Sequence, residues 1–220
     1  MIQKLSRLTV GDMLDRFGPS LLERIRFDPF PGTATEQDII EIYDREKRRC
    51  ELIDGILIRK DMGWDESQLA MSIACHLMDW ARPLHRGIVV GTSAAVRLAQ
   101  GQVRFPDAAF ISWDRMPNRR IPQEPIPDLA PDLAVEVPSI NFSAAEMAKR
   151  LQEYFESDVR LVWIVDPRTR TVAVYTSPDQ FVTLTADQTL DGGEVLPGFT
   201  LPLQELFAEL DEEGPPVAAN

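Results

Sequence analysis

The sequence predicts an α/β fold, and three short apolar segments carry that prediction. Residues 106–111, 133–137 and 161–167 are rich in β-branched and aromatic side chains and are bounded by proline or aspartate, as buried strands are. Between the second and third, residues 144–155 place apolar side chains at helical spacing. Strands that alternate with helices in this way are typical of an α/β domain.

The rest of the chain adds further helices and hairpins. Thr35, followed three residues later by Asp38, is typical of a capped helix start. An Asp54-Gly55 pair between two apolar runs favours a tight hairpin turn. The other predicted elements are helices at 10–17, 35–48 and 65–82, a hairpin at 51–58, paired strand segments at 87–98 and 103–111 with a bend at Gly91, and a hairpin at 171–184.

Composition and charge limit the possible functions. The chain has 220 residues, enough for one domain with a sizeable core, and 44% of them are hydrophobic. No apolar run approaches the ~20 residues of a membrane span, and the N-terminus lacks a signal-peptide pattern. We therefore expect a cytoplasmic protein that does not bind membranes. A net charge of −12 argues against a broad basic surface, so any DNA contact must be local.

One main domain is expected between two peripheral segments. Residues 1–34 are predicted as an N-terminal arm, residues 35–207 as the domain, and residues 208–220 as a flexible acidic tail. Within the domain, residues 113–131 contain five prolines and predict a long loop. The arginines of this loop are either local phosphate contacts or solvated loop residues.

Two acids on predicted strands are the first candidates for chemistry. Period-two alternation places Glu136 on the strand face opposite Leu133, Val135 and Val137, and Asp107 begins its own strand. Carboxylates on apolar strands are costly to bury without a cation. Because adjacent strands lie ~4.8 Å apart, both acids can share one divalent ion through oxygen ligands. The sequence therefore predicts a cation between them, either a divalent metal such as Mg²⁺ or a positively charged partner.

A cation is expected to face the same site from the helix at 144–155. At ~100° per residue, Arg150 falls on the apolar stripe between Met147 and Tyr154, whereas Lys149 points roughly the other way. Arg150 would then stabilise negative charge on a scissile phosphate, and Lys149 is the second candidate for that contact. The alternative is that Arg150 only pairs with Glu146, four residues earlier on the helix.

Six short segments, and the order in which they follow one another along the chain, resemble the Uma-type family of restriction endonucleases, a branch of the PD-(D/E)xK nuclease superfamily. The resemblance covers roughly residues 35–207. It implies a restriction-endonuclease-like fold with a central mixed β-sheet flanked by helices. It also implies Mg²⁺-dependent cleavage of DNA phosphodiesters, with Mn²⁺ as a possible substitute, by a homodimer. The matching segments are ELIDG at 51–55, PD at 106–107, VEVPS at 135–139, EYF at 153–155, VWIVDP at 162–167 and LPGF at 196–199.

By this resemblance Asp107 is the Asp of the PD element and Glu136 the acid of the following strand, the same pair that the strand pattern indicates. The superfamily lysine would stand at Pro138, and a lysine common in the Uma-type family falls at Arg150, with Lys149 beside it. Arginine can hold a phosphate but cannot act as a general base. The alternative is therefore that the protein has a nuclease fold but has lost cleavage, and that it acts as a binding module for nucleic acid or protein.

The resemblance also draws attention to two further acids. Glu51 matches a recurrent family glutamate and would support the site by holding a water or a second metal. Glu66, near the start of the helix at 65–82, lies where the superfamily often has an auxiliary acid. The alternatives are a solvated edge residue for Glu51 and a residue stabilised by the helix dipole for Glu66.

Overall fold

The structure, a computed structural model, describes residues 9–139 and 142–212. Most of the predicted acidic tail and the first eight residues of the arm lie outside the described residues. The helices are α1 (Val10–Phe17), α2 (Pro19–Leu22), α3 (Glu36–Glu46), α4 (Trp64–Ala81), α5 (Ala144–Glu156) and α6 (Leu203–Ala208). The strands are β1 (Cys50–Ile53), β2 (Ile56–Arg59), β3 (Gly87–Gly91), β4 (Val96–Ala99), β5 (Gln102–Arg104), β6 (Ala108–Ser112), β7 (Leu133–Glu136), β8 (Leu161–Asp166), β9 (Thr171–Ser177), β10 (Gln180–Thr185), β11 (Thr189–Asp191) and β12 (Thr200–Pro202).

A mixed six-stranded sheet forms the centre of the fold, in the order β10-β9-β8-β7-β6-β3. Strands β7 and β8 run parallel, and the other neighbours in this sheet are antiparallel. Helix α5 joins the parallel pair, because parallel neighbours need a crossover connection. A four-stranded antiparallel sheet, β2-β1-β5-β4, lies beside it, and β11 pairs with β12. The predicted central mixed sheet flanked by helices is confirmed.

Gly91 marks the point where the chain leaves one sheet for the other. Strand β3 ends there and pairs with β6 in the central sheet, whereas β4 pairs with β5 in the second sheet. The predicted bend at Gly91 and the pairing of the two segments are therefore both present. The two predicted strand segments each divide into two strands in different sheets. This division brings the end of β5 and the start of β6 to the junction of the two sheets.

The two faces of β7 have different surroundings. Leu133, Val135 and Val137 pack in the core that α4 covers, together with the fully buried Trp163. Ala134 packs on the opposite face against α5. Glu136 follows the same alternation and points to the α5 side. The predicted division of this strand into an apolar face and an acid-bearing face is present in the structure.

Helix α5 buries charge as well as apolar surface. Ser143 caps its start by accepting a hydrogen bond from the Glu146 N–H at 3.1 Å. Its buried residues are Glu146, Arg150, Leu151, Glu153 and Tyr154. Charged side chains are rarely buried unless they are paired. Helix α5 therefore contributes a polar network to the interior.

The N-terminal arm packs against the β1–β2 hairpin. Ile25 forms an isolated bridge with Ile58, and Met13 and Leu21 join the same apolar cluster. Strand β1 is buried along its whole length. The arm therefore covers one side of the second sheet. Within the described ranges, no helix combines the length and the apolarity needed to cross a membrane.

The proline-rich loop is fastened to the sheet through Asp132. This carboxylate, 1% exposed, accepts hydrogen bonds from the Ser112 N–H at 2.6 Å, from Arg115 Nε at 2.8 Å and from Arg160 Nη2 at 2.5 Å. Burial opposes ionisation of Asp132, but these donors outweigh it and hold its pKa below the ordinary value. Arg115 therefore anchors the loop in this conformation.

Replacing Asp132, which accepts all of these hydrogen bonds, is expected to destabilise the protein. Asp132→Ala should lower the free energy of unfolding by about 2 kcal/mol, because the part-buried Ser112 N–H loses its acceptor and two arginines lose theirs. Since the pKa of Asp132 is lowered by folding, the difference from wild type should shrink as the pH falls below about 4. Urea unfolding measures both effects. Asp128→Asn, an exposed acid in the same loop, is the control and should change stability by less than about 0.5 kcal/mol.

Candidate active site

Asp107 and Glu136 lie side by side at one end of the central sheet. Ala108 lies opposite Val135 in the antiparallel β6–β7 pair. Asp107, one residue before β6, therefore faces Glu136, the last residue of β7. The Asp107 N–H donates to the Val135 carbonyl at 2.9 Å, and the Val137 N–H donates to Asp107 Oδ2 at 2.8 Å. Both residues are at most 3% exposed. The backbone thus fixes Asp107 with its other oxygen, Oδ1, directed into the site.

A lysine that no sequence pattern indicated lies between the two acids. Lys60 follows β2 directly, and its Nζ is 2.8 Å from Asp107 Oδ1 and 3.3 Å from Glu136 Oε2. The same ammonium donates to the carbonyl oxygen of Phe105. We call the three oxygens, Asp107 Oδ1, Glu136 Oε2 and Phe105 O, the cation cradle. Burial opposes the charged form of Lys60, but the two carboxylates outweigh it and raise its pKa.

Arg150 joins Glu136 to Glu51. Its Nη1 donates to Glu136 Oε1 at 2.8 Å, and its Nη1 and Nη2 donate to the two carboxylate oxygens of Glu51 at 3.0 and 2.6 Å. Arg150 is 1% exposed as a whole residue, so the predicted inward orientation is present. The alternative partner, Glu146, is instead held by Arg24 at 2.5 Å. Contact of Arg150 with a phosphate stays a prediction, since its guanidinium is committed to carboxylates here.

Glu51 is a buried member of the site. It is 2% exposed and accepts from Arg150, from Arg104 Nη1 at 2.7 Å and from the Phe105 N–H at 3.3 Å. The solvated-edge alternative for this residue is therefore wrong, because β1 pairs on both sides and is covered by the arm. Burial opposes ionisation of Glu51, but Arg150 and Arg104 outweigh it and keep its pKa below the ordinary value. Arg104 continues the network by donating to Glu153 through Nε at 2.9 Å.

Tyr154 orients Glu136 from α5. Its hydroxyl donates to Glu136 Oε1 at 2.5 Å, next to the bond from Arg150. Burial and the neighbouring Glu136 carboxylate raise the pKa of Tyr154 well above its ordinary value, so the phenol remains a proton donor. With both donors on Oε1, the other oxygen of Glu136 is left for the cation cradle.

The remaining candidates lie outside the cradle. Lys149 is 32% exposed at its side chain, and its Nζ is 4.0 Å from Glu153 Oε1. Glu66 lies in the first turn of α4. Pro138 lines the site at the position expected from the sequence. Lys149 therefore contacts the outer end of the network, and its role as a phosphate contact stays a prediction.

A small cavity opens beside the cradle. Its volume is about 20 Å³, room for about one water, and its lining includes Lys60, Asp107 and Glu136. At its rim the ring of Phe142 lies 5.0 Å from the guanidinium carbon of Arg150 and 5.5 Å from that of Arg24. Cations and an aromatic ring thus border the entrance to the two acids.

The donor set fits a hard divalent cation. Asp107 Oδ1 is buried, and the Lys60 ammonium approaches it as an ion pair without hydrogen-bond geometry. Within residues 9–139 and 142–212, no three His, Cys, Asp or Glu side chains cluster closely enough to hold a metal ion. A metal here would therefore take two carboxylates and a backbone carbonyl as protein ligands. Mg²⁺ commonly binds through one or two carboxylates and keeps several waters, so these residues fit it.

Comparisons with known proteins agree with this architecture. A family model described as "Uma2: Putative restriction endonuclease" matches residues 36–204. A search of curated proteins gives no significant match. The chain is similar to a crystal structure described as "a putative nuclease belonging to DUF820" from Anabaena variabilis ATCC 29413. The TM-score is 0.66 at 21% identity, over 74% of this chain and 92% of that chain.

The structural similarity shows a shared fold, and the predicted restriction-endonuclease-like α/β fold is confirmed. The family match covers residues 36–204, nearly the whole of the predicted domain, and favours a nuclease function. Because the family match spans most of the length of the chain, the chain belongs to the Uma2 family.

Proposed function

We propose that the protein is a Mg²⁺-dependent DNA endonuclease that hydrolyses phosphodiester bonds at the Asp107–Glu136 site. The observation that carries the proposal is the convergence of two buried carboxylates from adjacent strands on one cation position. Buried titratable groups that share a charge partner in a cleft are candidates for a functional site. Mn²⁺ should replace Mg²⁺, because both take oxygen ligands.

The chain's own residues would hold the two acids in a reactive arrangement. The Val137 N–H fixes Asp107, and Tyr154 and Arg150 fix Glu136, so that one oxygen of each acid is aimed at the cradle. A divalent ion held there would polarise the phosphate and lower the pKa of an attacking water. Glu51 would act as a positioning residue, because it holds Arg150 against Glu136.

Local cations would offset the acidity of the chain during DNA binding. The net charge is −12, so the phosphate backbone must approach a confined basic region. Arg24 and Arg150 line the cavity but are paired with carboxylates, whereas Lys149, 32% exposed at its side chain, lies nearby on α5. We infer that the scissile strand approaches the cavity along the side of α5 that carries Lys149. A homodimer would cut both strands of a duplex, since each chain contributes one candidate site.

A specific observation favours a second candidate function. The Lys60 ammonium already lies in the cation cradle, and the adjoining cavity has room for about one water. If this arrangement is permanent, the protein is a nuclease-fold binding module that holds DNA without cleaving it. Such a module would bind DNA equally well with or without a divalent cation.

Plasmid cleavage distinguishes the two functions. Purified protein should nick and then linearise supercoiled DNA with Mg²⁺ or Mn²⁺, and excess EDTA should abolish both products. Gel-shift binding in EDTA is measured in parallel. DNA that is retained but never nicked with either metal would contradict the endonuclease and support the binding module.

A further inference from the structure

We propose that Lys60 is an exchangeable cation: its ammonium occupies the metal position in the metal-free protein, and a divalent ion enters only by displacing it. This inference rests on the proposed metal site and adds a competitor for that site. It assigns the Phe105 carbonyl as a third protein ligand and explains how one cradle serves two cations.

The geometry of the cradle carries the first step. Its oxygens come from the segment between β5 and β6 and from the end of β7, yet all three converge on Lys60 Nζ. Carboxylate and carbonyl oxygens are the ligands that a Mg²⁺ ion prefers. The adjoining cavity of about 20 Å³ holds about one water, whereas Mg²⁺ usually keeps several. The ammonium and a hydrated ion therefore cannot occupy the site together.

Charge balance favours a divalent ion as the replacement. Lys149 is left out of the count, because its side chain is 32% exposed and its Nζ is 4.0 Å from Glu153 Oε1. The buried part of the network then holds one more carboxylate than cations, so removing the Lys60 ammonium leaves two excess negative charges. One divalent ion neutralises that excess, and a monovalent ion does not. Isolated buried charge is costly, so this balance favours the exchange. The carboxylates are Glu51, Asp107, Glu136 and Glu153, and the cations are Lys60, Arg104 and Arg150.

Lys60 is also the network cation best able to move. All three cations contact two carboxylates, but Arg104 and Arg150 are 2% exposed at their side chains, whereas the side chain of Lys60 is 11% exposed. Lys60 is the first residue of an irregular stretch between β2 and α4. Its ammonium is carried on a flexible four-carbon side chain. Its ammonium can therefore turn toward the cavity entrance, where a phosphate would meet it.

Metal binding without DNA tests the exchange. Titration of the full chain with Mn²⁺, followed by the electron paramagnetic resonance signal of free Mn²⁺, should show Lys60→Met binding at least about tenfold more tightly than wild type, because no buried ammonium must leave. The matched control is Lys47→Met, an exposed lysine after α3, with unchanged affinity. Equal or weaker binding by Lys60→Met, or no binding by either protein, would overturn the proposal.

A second measurement uses only the wild-type chain, so it tests the exchange even if Lys60→Met fails to fold. The chain has four lysines, Lys4, Lys47, Lys60 and Lys149, so mass spectrometry can follow acetylation of each one. Acetylation of Lys60 should be slow without metal and faster at saturating Mn²⁺, while that of Lys47 stays constant. An unchanged or slower Lys60 rate would refute displacement. Neither readout uses DNA, so failure to cleave DNA and failure to exchange are separate results.

Discussion

Asp107→Asn is expected to lower metal-dependent DNA cleavage by at least about 10³-fold. Loss of a group that only supports a metal ligand typically costs 10–100-fold, and Asp107 is itself a proposed ligand. The amide keeps the size of the side chain, and its oxygen can still accept from the Val137 N–H. Rates of plasmid nicking with Mg²⁺, compared with wild type, measure the effect.

The control for this prediction is Asp179→Asn, an exposed acid in the turn between β9 and β10, whose nicking rate should match wild type. Circular dichroism and thermal unfolding establish that both variants fold. A folded Asp107→Asn protein that cleaves within about tenfold of wild type would remove Asp107 from the reaction.

Arg150→Met is expected to lower the free energy of unfolding by about 3–5 kcal/mol, the range for breaking a buried ion pair on one side. The change leaves Glu51 and Glu136 buried with one cation fewer, and methionine supplies volume but no donors. Arg150→Lys should be intermediate, because a single ammonium cannot reproduce the bidentate contact with Glu51 while also bridging to Glu136. Urea unfolding gives the three values.

Arg120→Met provides the comparison for Arg150, since it removes an exposed guanidinium and should change stability by less than about 0.5 kcal/mol. A loss of under about 1 kcal/mol in Arg150→Met would mean that the buried network does not depend on this arginine. Arg150→Lys also bears on the binding-module alternative: cleavage that arises only in this variant would indicate a site that lost activity through the arginine.

The two acids were predictable because local sequence carries their signal. The apolar alternation of β7 gives the orientation of Glu136, and the Pro106-Asp107 pair gives the start of β6. Arg150 was predictable for a similar reason, because helical spacing alone places it on the buried side of α5. Patterns with a fixed period report which face a side chain occupies.

Lys60 was not predictable, because the contacts that define its role are long-range. Its partners Phe105 and Glu136 lie 45 and 76 positions away, beyond any periodic pattern. Locally it is only a lysine after a short strand. The burial of Glu51 depends in the same way on β5 and on the arm, which together cover β1. The neighbours of β1 are not evident from its own residues. Local sequence therefore does not distinguish a Glu51 exposed to solvent from one buried against other parts of the chain.

Anomalous diffraction from crystals of the protein grown with Mn²⁺ would locate a bound metal relative to Asp107, Glu136 and Lys60. We expect one anomalous peak with metal–oxygen distances of ~2.0–2.3 Å to Asp107 and Glu136, and a Lys60 side chain turned out of the cradle. A cradle without an anomalous peak at saturating Mn²⁺, with the ammonium still between the two carboxylates, would contradict the proposed metal site.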